Sequence, residues 1–435
     1  MNILVIYHVY TKYPLRQTFH DYLYCFKKYA KANVVYCNYA YGIPKVVFEQ
    51  TFDLVIFNNT FTAELRSTTK PYNQFLQSLI PLQKQACAKV VFCQDEFINM
   101  EKLGHFINQY SIDTVYTVAD PGQWDLLYPG INKGHTRIRQ VLTGYLDKEI
   151  LASIQAILKE IKVRDIDIGY RATHAEPWLG AIGKWKIQIA EIIKPLCQKL
   201  GLKTDISTVT GEGNFYHGLD WYRFMARCKV FIGVEGGSSL LDKDGAIRTA
   251  ILDYVSANPK ASYDDIEAAC FKGMDGNIHY KALSPRHLEA CATKTCQLLL
   301  EGDYSGVLLP GIHYIAIKND YSNVEEALKQ ALDPAIVKPM VERAYKDIVA
   351  TGNYSYERFV ANIQEENSSK ILSKHPLASK FVFWFNCRDA LLWHRMKWEI
   401  KGREWLKKNF SSTAYAYLKK VKQKFTVKKS ASQRV

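Results

Sequence analysis

Residues 72–97, YNQFLQSLIPLQKQACAKVVFCQDEF, pass from a stretch with helical spacing of its large apolar residues to a short, almost uninterrupted apolar run. The run AKVVFCQ is short, rich in valine and apolar at consecutive positions. A strand alternates its side chains between two faces, so such a run is buried on both, as in a parallel sheet covered by helices on each side. The same phrase recurs around it in NILVIYH (2–8), NVVYCNY (33–39), FDLVIFNN (52–59) and DTVYTVA (113–119), with FHDYLYCFKKYA (19–30) among the helical stretches between. The pattern predicts a doubly wound α/β domain over residues 1–150.

A helical connection, DKEILASIQAILKEIKV (147–163), leads to a second series of the same kind. Its strand runs are IDIGYRA (166–172), DISTV (205–209), KVFIGVEG (229–236), CQLLLEG (296–302) and HYIAIKND (313–320), with WKIQIAEIIKPLCQKL (185–200) and LDWYRFMARC (219–228) as helices between them. A second Rossmann-like domain with closing helices is therefore expected over 151–369. At 435 residues the chain exceeds the size at which one hydrophobic core stops growing, which fits two domains. Ligands of such domains bind at the C-terminal edges of the strands, so the cleft between the two is the expected site.

The net charge of +14 is unevenly placed. Residues 370–435 hold 17 Lys plus Arg against three acids, Asp389, Glu399 and Glu404, which leaves 40 of each sign in the first 369 residues. The body is neutral and the tail basic, a poor footprint for nucleic acid. Within the tail, Trp384, Leu391, Trp398 and Trp405 recur at heptad steps, flanked by Phe385, Leu392 and Leu406. A basic amphipathic helix of this kind suits the interface of an anionic membrane, where each cation adds on the order of 1 kcal/mol. The same stripe would also serve packing on the body or on a second subunit. No window reaches the roughly 18 consecutive apolar residues of a membrane span. The run after Met1-Asn2 lacks a basic leader and is expected to be a first strand, not a signal peptide. Ten scattered cysteines without zinc spacing point to a reducing cytoplasm, so the expected location is cytoplasmic, peripheral on the inner face of the cell membrane.

The chemistry-bearing residues cluster after the strands of the second series. In LSPRHLEACATKTCQLLLEG (283–302), Pro285 suits a first helical turn, Ser284 can cap, and Arg286 sets a permanent cation beside the free amides of a helix start. That mouth suits a diphosphate, and Glu289, one turn deeper, suits ribose hydroxyls; the plain alternative is a capped helix with Arg286 and Glu289 paired on its surface. Glu235, Gly236 and Gly237, followed by Ser238 and Ser239, form a turn that would cradle phosphate or sugar, or serve as structure only. Arg171, His174, Lys184 and Lys186 add positive charge to the loop after the first strand of this series. Candidate bases at strand ends of the first domain are Asp95, favoured because it follows KVVFC, and His8, with Glu96 and Asp120 behind them. The pairs Asp165/Asp167 and Asp242/Asp244 have the form Asp-x-Asp but lack further ligands nearby, so no metal site is expected.

The segments IGYRA (168–172), GKWK (183–186), WYRFMARCKVFIGVEGGSS (221–239), 283–323 and YSYERF (354–359) resemble bacterial GT-B-fold glycosyltransferases of polysaccharide assembly, especially those with a Ser-Pro-Arg-x-x-Glu-Ala segment. The likeness covers residues 165 to 360. It implies a nucleotide-sugar donor held by the second domain, a glycan or lipid-linked acceptor held by the first, and no obligatory metal or other cofactor. It implies further that Glu289 holds the donor ribose, that Ser284 and Arg286 lie at the diphosphate, that Arg171 and Lys186 neutralise the leaving nucleotide, and that the Tyr304-Ser305-Gly306 turn lines the same pocket. Many retaining members carry a second glutamate eight positions earlier, where this chain has Lys281, so the stereochemistry does not follow. Lys294-Thr295-Cys296 replaces the usual Gly-Thr-Pro. The rival readings are a non-catalytic nucleotide- or glycan-binding protein and an epimerase on the same fold.

Overall fold

A computed structural model describes residues 1–10, 17–173, 175–209 and 216–409, without the side chains of 369, 400 and 403–409. The first sheet runs in the order β2-β1-β3-β4-β5-β6, all parallel, from β1 (Asn2–Tyr7), β2 (Asn33–Asn38), β3 (Leu54–Phe57), β4 (Ala88–Cys93) and β5 (Thr114–Thr117) to β6 (Arg137–Gln140). Strands β1, β3, β4 and β5 are buried throughout, which is why their sequences read as largely apolar runs. The second sheet is assembled from β7 (Ile166–Arg171), β8 (Thr204–Ser207), β9 (Cys228–Gly233), β12 (Cys296–Leu300) and β13 (Ile315–Ile317), in the order β13-β12-β9-β7-β8 and again parallel. Each sheet places its first strand between its second and third. The order therefore reverses beside β1 in one domain and beside β7 in the other, and the crevices at these switch points are where such sheets bind ligands. Two Rossmann-like domains, the GT-B architecture, are thus present.

The glycine turn after β9 departs from expectation. Gly236–Ser238 forms β10, paired antiparallel with β11 (Tyr280–Ala282). A Cβ on Gly237 would lie 1.9 Å from the Tyr280 carbonyl oxygen, and its φ is +144°, so close backbone approach within a ladder explains the glycine. This ladder carries Tyr280 into the first domain, whose core includes Leu241, Ile278 and Ala282 from the second. The Tyr280 hydroxyl donates to Glu96 Oε2 at 2.7 Å and accepts from the Asp95 amide at 3.1 Å. Replacing Tyr280 with phenylalanine leaves one oxygen of a buried carboxyl and an amide without this partner, while Thr117 and Tyr128 still serve the other oxygen; we expect a loss of about 2 kcal/mol, read as a lower urea midpoint at unchanged m.

The chain also returns to the first domain earlier than expected. The helix Tyr356–Glu366, assigned above to the second domain, packs on the Gln17–Tyr29 helix, with Phe359 against Tyr22, Phe26 and Phe92. The carboxylate of Asp53 then takes the amides of Asn2, Leu372 and Ser373, fixing the crossing segment. A helix, Ser379–Asn409, follows against β2, and residues 410–435 lie outside the described part. Residues 370–409 are therefore part of the folded body. None of the described helices is long and apolar enough to cross a membrane.

Candidate functional site

A pocket of about 350 Å³ opens at the switch point of the second sheet. Its floor is the start of the helix Pro285–Ala292, with Ser284, Pro285, Arg286 and Glu289. One wall is the end of β7, residues Arg171 to Thr173, and another is the Leu219–Arg227 helix with the turn before it, giving Tyr216, His217, Trp221 and Tyr222. Gln17 and Thr18 close it from the first domain. Four residues of the Ser-Pro-Arg-x-x-Glu segment thus meet in one cavity.

Glu289 is buried, not paired with Arg286 on a surface. Its Oε2 accepts from Trp221 Nε1 at 2.8 Å and its Oε1 from the Tyr222 hydroxyl at 3.4 Å. Burial pushes its carboxyl up to about 7, with the charge of Asp21 adding to the effect and Arg286 opposing it. Ser284 holds the cap position in extended geometry, but its hydroxyl bonds no helix amide; it accepts from Arg286 Nε at 3.0 Å instead. Arg286 Nη1 donates to the Arg171 carbonyl at 3.0 Å, so the guanidinium lies across the helix mouth.

Other residues stand elsewhere than the sequence suggests. Arg171 lines the pocket, but Nη2 meets Asp205 Oδ1 at 2.6 Å and Nη1 donates to the Asp205 and Tyr170 carbonyls. The guanidinium also packs over the rings of Phe224 and Tyr216, at 4.6 and 5.1 Å. Its neighbour on β8 therefore already balances the charge expected to face a diphosphate. Lys186 lies on the Gly180–Lys199 helix and does not line the pocket. Lys184 sits over the Tyr263 ring at 3.4 Å, and His174 is outside the described residues. Glu235 is buried and does not line the pocket, its Oε1 accepting from the Tyr304 amide at 2.8 Å. Tyr304, Ser305 and Gly306 do not line the pocket either: all three have positive φ, and Ser305 Oγ accepts from the Leu283 amide at 3.2 Å, buttressing the segment that leads into the helix.

The candidate bases are spread apart. Asp95 is exposed, at positive φ, beside the Tyr280 contact. Glu96 is fully buried, and burial raises its carboxyl above the ordinary range. The His8 ring lies against Tyr39 and Phe75, 3.8 Å from Glu64. Asp120 caps a short turn through the Gly122 amide. None of the four lines the pocket. Asp21, which sequence reasoning missed, does come close: it lines a groove of about 720 Å³ between the Gln17–Tyr29 and Ser379–Asn409 helices, and Gln17, which donates to Asp21 Oδ1 at 2.7 Å, lines both this groove and the pocket. The Asp-x-Asp pairs have local partners, Asp165 with Arg227, Asp167 with Lys229, and Asp242 with the amides of Gly245 and Arg248.

The fold is similar to that of several solved structures. Anabaena HepE in complex with UDP shares 11% identity at a TM-score of 0.48, over 85% of this chain and all of that one. A glycosyltransferase from Rickettsia africae shares 13% at 0.44, over 86% of this chain and 99% of that one. Sucrose-phosphate synthase from Thermosynechococcus elongatus shares 11% at 0.48, over 85% and 98%. No protein-family model and no curated protein matches the chain. At these identities the likeness extends to the course of the chain and no further.

Aromatic side chains are the other feature of the pocket that sequence reasoning missed. Tyr216 stacks on Phe224 at 4.7 Å, and Trp221 packs on the same ring. Together with Tyr222 they give a flat, apolar wall beside a carboxylate, the surroundings that suit a base and its attached sugar. The available signal was Trp221 and Tyr222 side by side at the start of an amphipathic helix, where one apolar residue would have served for packing.

Proposed function

We propose that this chain transfers a sugar from a nucleoside-diphosphate sugar to a glycan or lipid-linked acceptor in cell-surface polysaccharide synthesis. One observation carries the reading: Glu289, Arg286 and a helix mouth share a pocket with an aromatic wall, at the switch point of a parallel sheet. The wall takes the base, Glu289 accepts from the ribose hydroxyls, and the diphosphate lies across Arg286 and the first turn of the helix. When the bond between the sugar and the diphosphate breaks, the charge left on the phosphate oxygens is met by Arg286 and the helix dipole, without a metal ion. The resemblance over residues 165 to 360 supports the same donor class. The acceptor approaches along the groove that shares Gln17 with the pocket, with Asp21 beside its hydroxyl.

The test is calorimetric binding of nucleoside diphosphates and of the corresponding free nucleosides. The wild type should prefer diphosphates. Arg286→Ala should lower diphosphate affinity about 10- to 100-fold, the worth of a charged hydrogen bond, and leave nucleoside affinity unchanged. Once a donor and acceptor are in hand, Asp21→Asn should lower kcat and leave the donor KM in place. A wild type that binds no nucleoside diphosphate overturns the proposal.

A further inference from the structure

The Ser379–Asn409 helix packs one apolar face on the body and leaves another in solvent. The inner face is fixed by Phe385 and Met396, both buried, and by Asp389, whose carboxylate oxygens accept from the hydroxyls of Tyr7 and Tyr24. The outer face carries Trp384, Leu391 and Trp398, which are 51%, 67% and 76% exposed. Seven residues turn a helix by nearly two full revolutions, so these three form one stripe, and Lys380, Arg388 and Arg395 fall beside it. The first three members of the heptad series seen in the sequence thus face solvent, while Phe385, predicted to flank it, faces the body. The side chains of Trp405 and Leu406 are not described.

Large apolar side chains in water, anchored from behind and flanked by Lys380, by Arg388, which also donates to the Gly42 carbonyl, and by Arg395, which also pairs with Glu399, need a partner that accepts both apolar and cationic groups. We infer that this face docks on an anionic lipid bilayer, the helix lying in the plane of the interface with Trp384, Leu391 and Trp398 inserted below the headgroups. Charge complementarity selects this partner. Residues 410–435, which continue from the end of the helix, carry seven further Lys plus Arg and no acid, and residues 1–369 have no excess charge of their own. A second copy of this chain would bring the same cations face to face, and a nucleic acid would leave the apolar stripe unused. The inference is independent of the donor site.

The experiment uses the full chain. The protein should sediment with vesicles of phosphatidylglycerol and phosphatidylcholine and stay in solution with phosphatidylcholine alone, and brominated lipid should quench its tryptophan fluorescence. W384S/L391S/W398S should lower the partition coefficient about tenfold or more with an unchanged melting temperature, because the three side chains contact solvent. Quenching by brominated lipid is read on the wild type and does not depend on how the variant folds. Three results would overturn the inference: no sedimentation with anionic vesicles, a stripe variant that binds as the wild type does, or a concentration-dependent dimer that the stripe variant abolishes.

Discussion

Replacing Glu289 by glutamine is expected to weaken nucleoside diphosphate binding tenfold or more while making the unliganded protein more stable at pH 8. Burial moves the Glu289 carboxyl from an ordinary 4.5 up to about 7 in the folded chain. Below pH 4.5 the group is neutral in both states and contributes no difference. Between 4.5 and 7 the folded state holds a proton that the unfolded state has released, so stability falls as pH rises, at roughly 1.4 kcal/mol per unit. Above 7 the full penalty, about 3 kcal/mol, is reached. Glutamine does not titrate, keeps an oxygen for the Trp221 indole and turns an amide toward the Tyr222 hydroxyl, so it escapes the penalty. Melting curves of the two proteins should coincide near pH 4.5 and separate by pH 8, with the variant higher. For the ligand the sign is reversed: an ionised carboxylate accepts hydrogen bonds about twice as strong as neutral ones, so wild-type affinity should rise with pH through 7, and the variant should show no such rise. Melting curves that stay together at pH 8 would contradict the burial of Glu289, and equal affinities would remove it from the donor site.

The difference between what sequence made legible and what it did not follows the range of the interactions. Ten of the eleven strands of the two sheets could be read, for the most part because a parallel strand buried on both faces is a local apolar signal. Arg137–Gln140 escaped because, as an exposed edge, it carries polar side chains. The pair β10 and β11 escaped because each is three residues long and exists only through the other. Within the site, Ser284, Pro285, Arg286 and Glu289 were legible from the rules of a helix start. Arg171 was correctly placed at a strand end, yet its engagement by Asp205 depended on which strand lies beside β7. Trp221, Tyr222 and Asp21 reach the pocket region from elements 60 to 270 positions away from Glu289 in order of magnitude, and nothing local marks them. In the Ser379–Asn409 helix the heptad stripe was visible, but the inward face was not, since Asp389 and Trp393 hold it through hydrogen bonds that involve Tyr7 and Tyr24.

Arg164 should prove as important to the pocket as any residue that lines it. It precedes β7 and looked unremarkable in sequence, but its guanidinium makes five hydrogen bonds. Nη1 donates to the carbonyls of Ala226 and Cys228, at 2.8 and 2.7 Å, and to Thr295 Oγ1 at 3.0 Å. Nη2 donates to the carbonyls of Thr293 and Lys294, at 2.7 and 2.9 Å. These carbonyls end the Leu219–Arg227 and Pro285–Ala292 helices, the two that present Trp221, Tyr222, Arg286 and Glu289. A cation at both C-termini satisfies acceptors that a helix leaves open and complements both dipoles, so one side chain sets the relation of the aromatic wall to the Glu289 carboxylate. Arg164→Met removes the donors and leaves several part-buried carbonyls without partners, for a loss of about 4 kcal/mol in unfolding free energy. Arg164→Lys should recover only part of it, because an ammonium lacks the planar fork that spans the two helix ends. Amide exchange should quicken in both helices, and diphosphate affinity should fall although residue 164 touches no ligand. A methionine variant within about 1 kcal/mol of wild type would show that the two helices are held by their apolar packing alone.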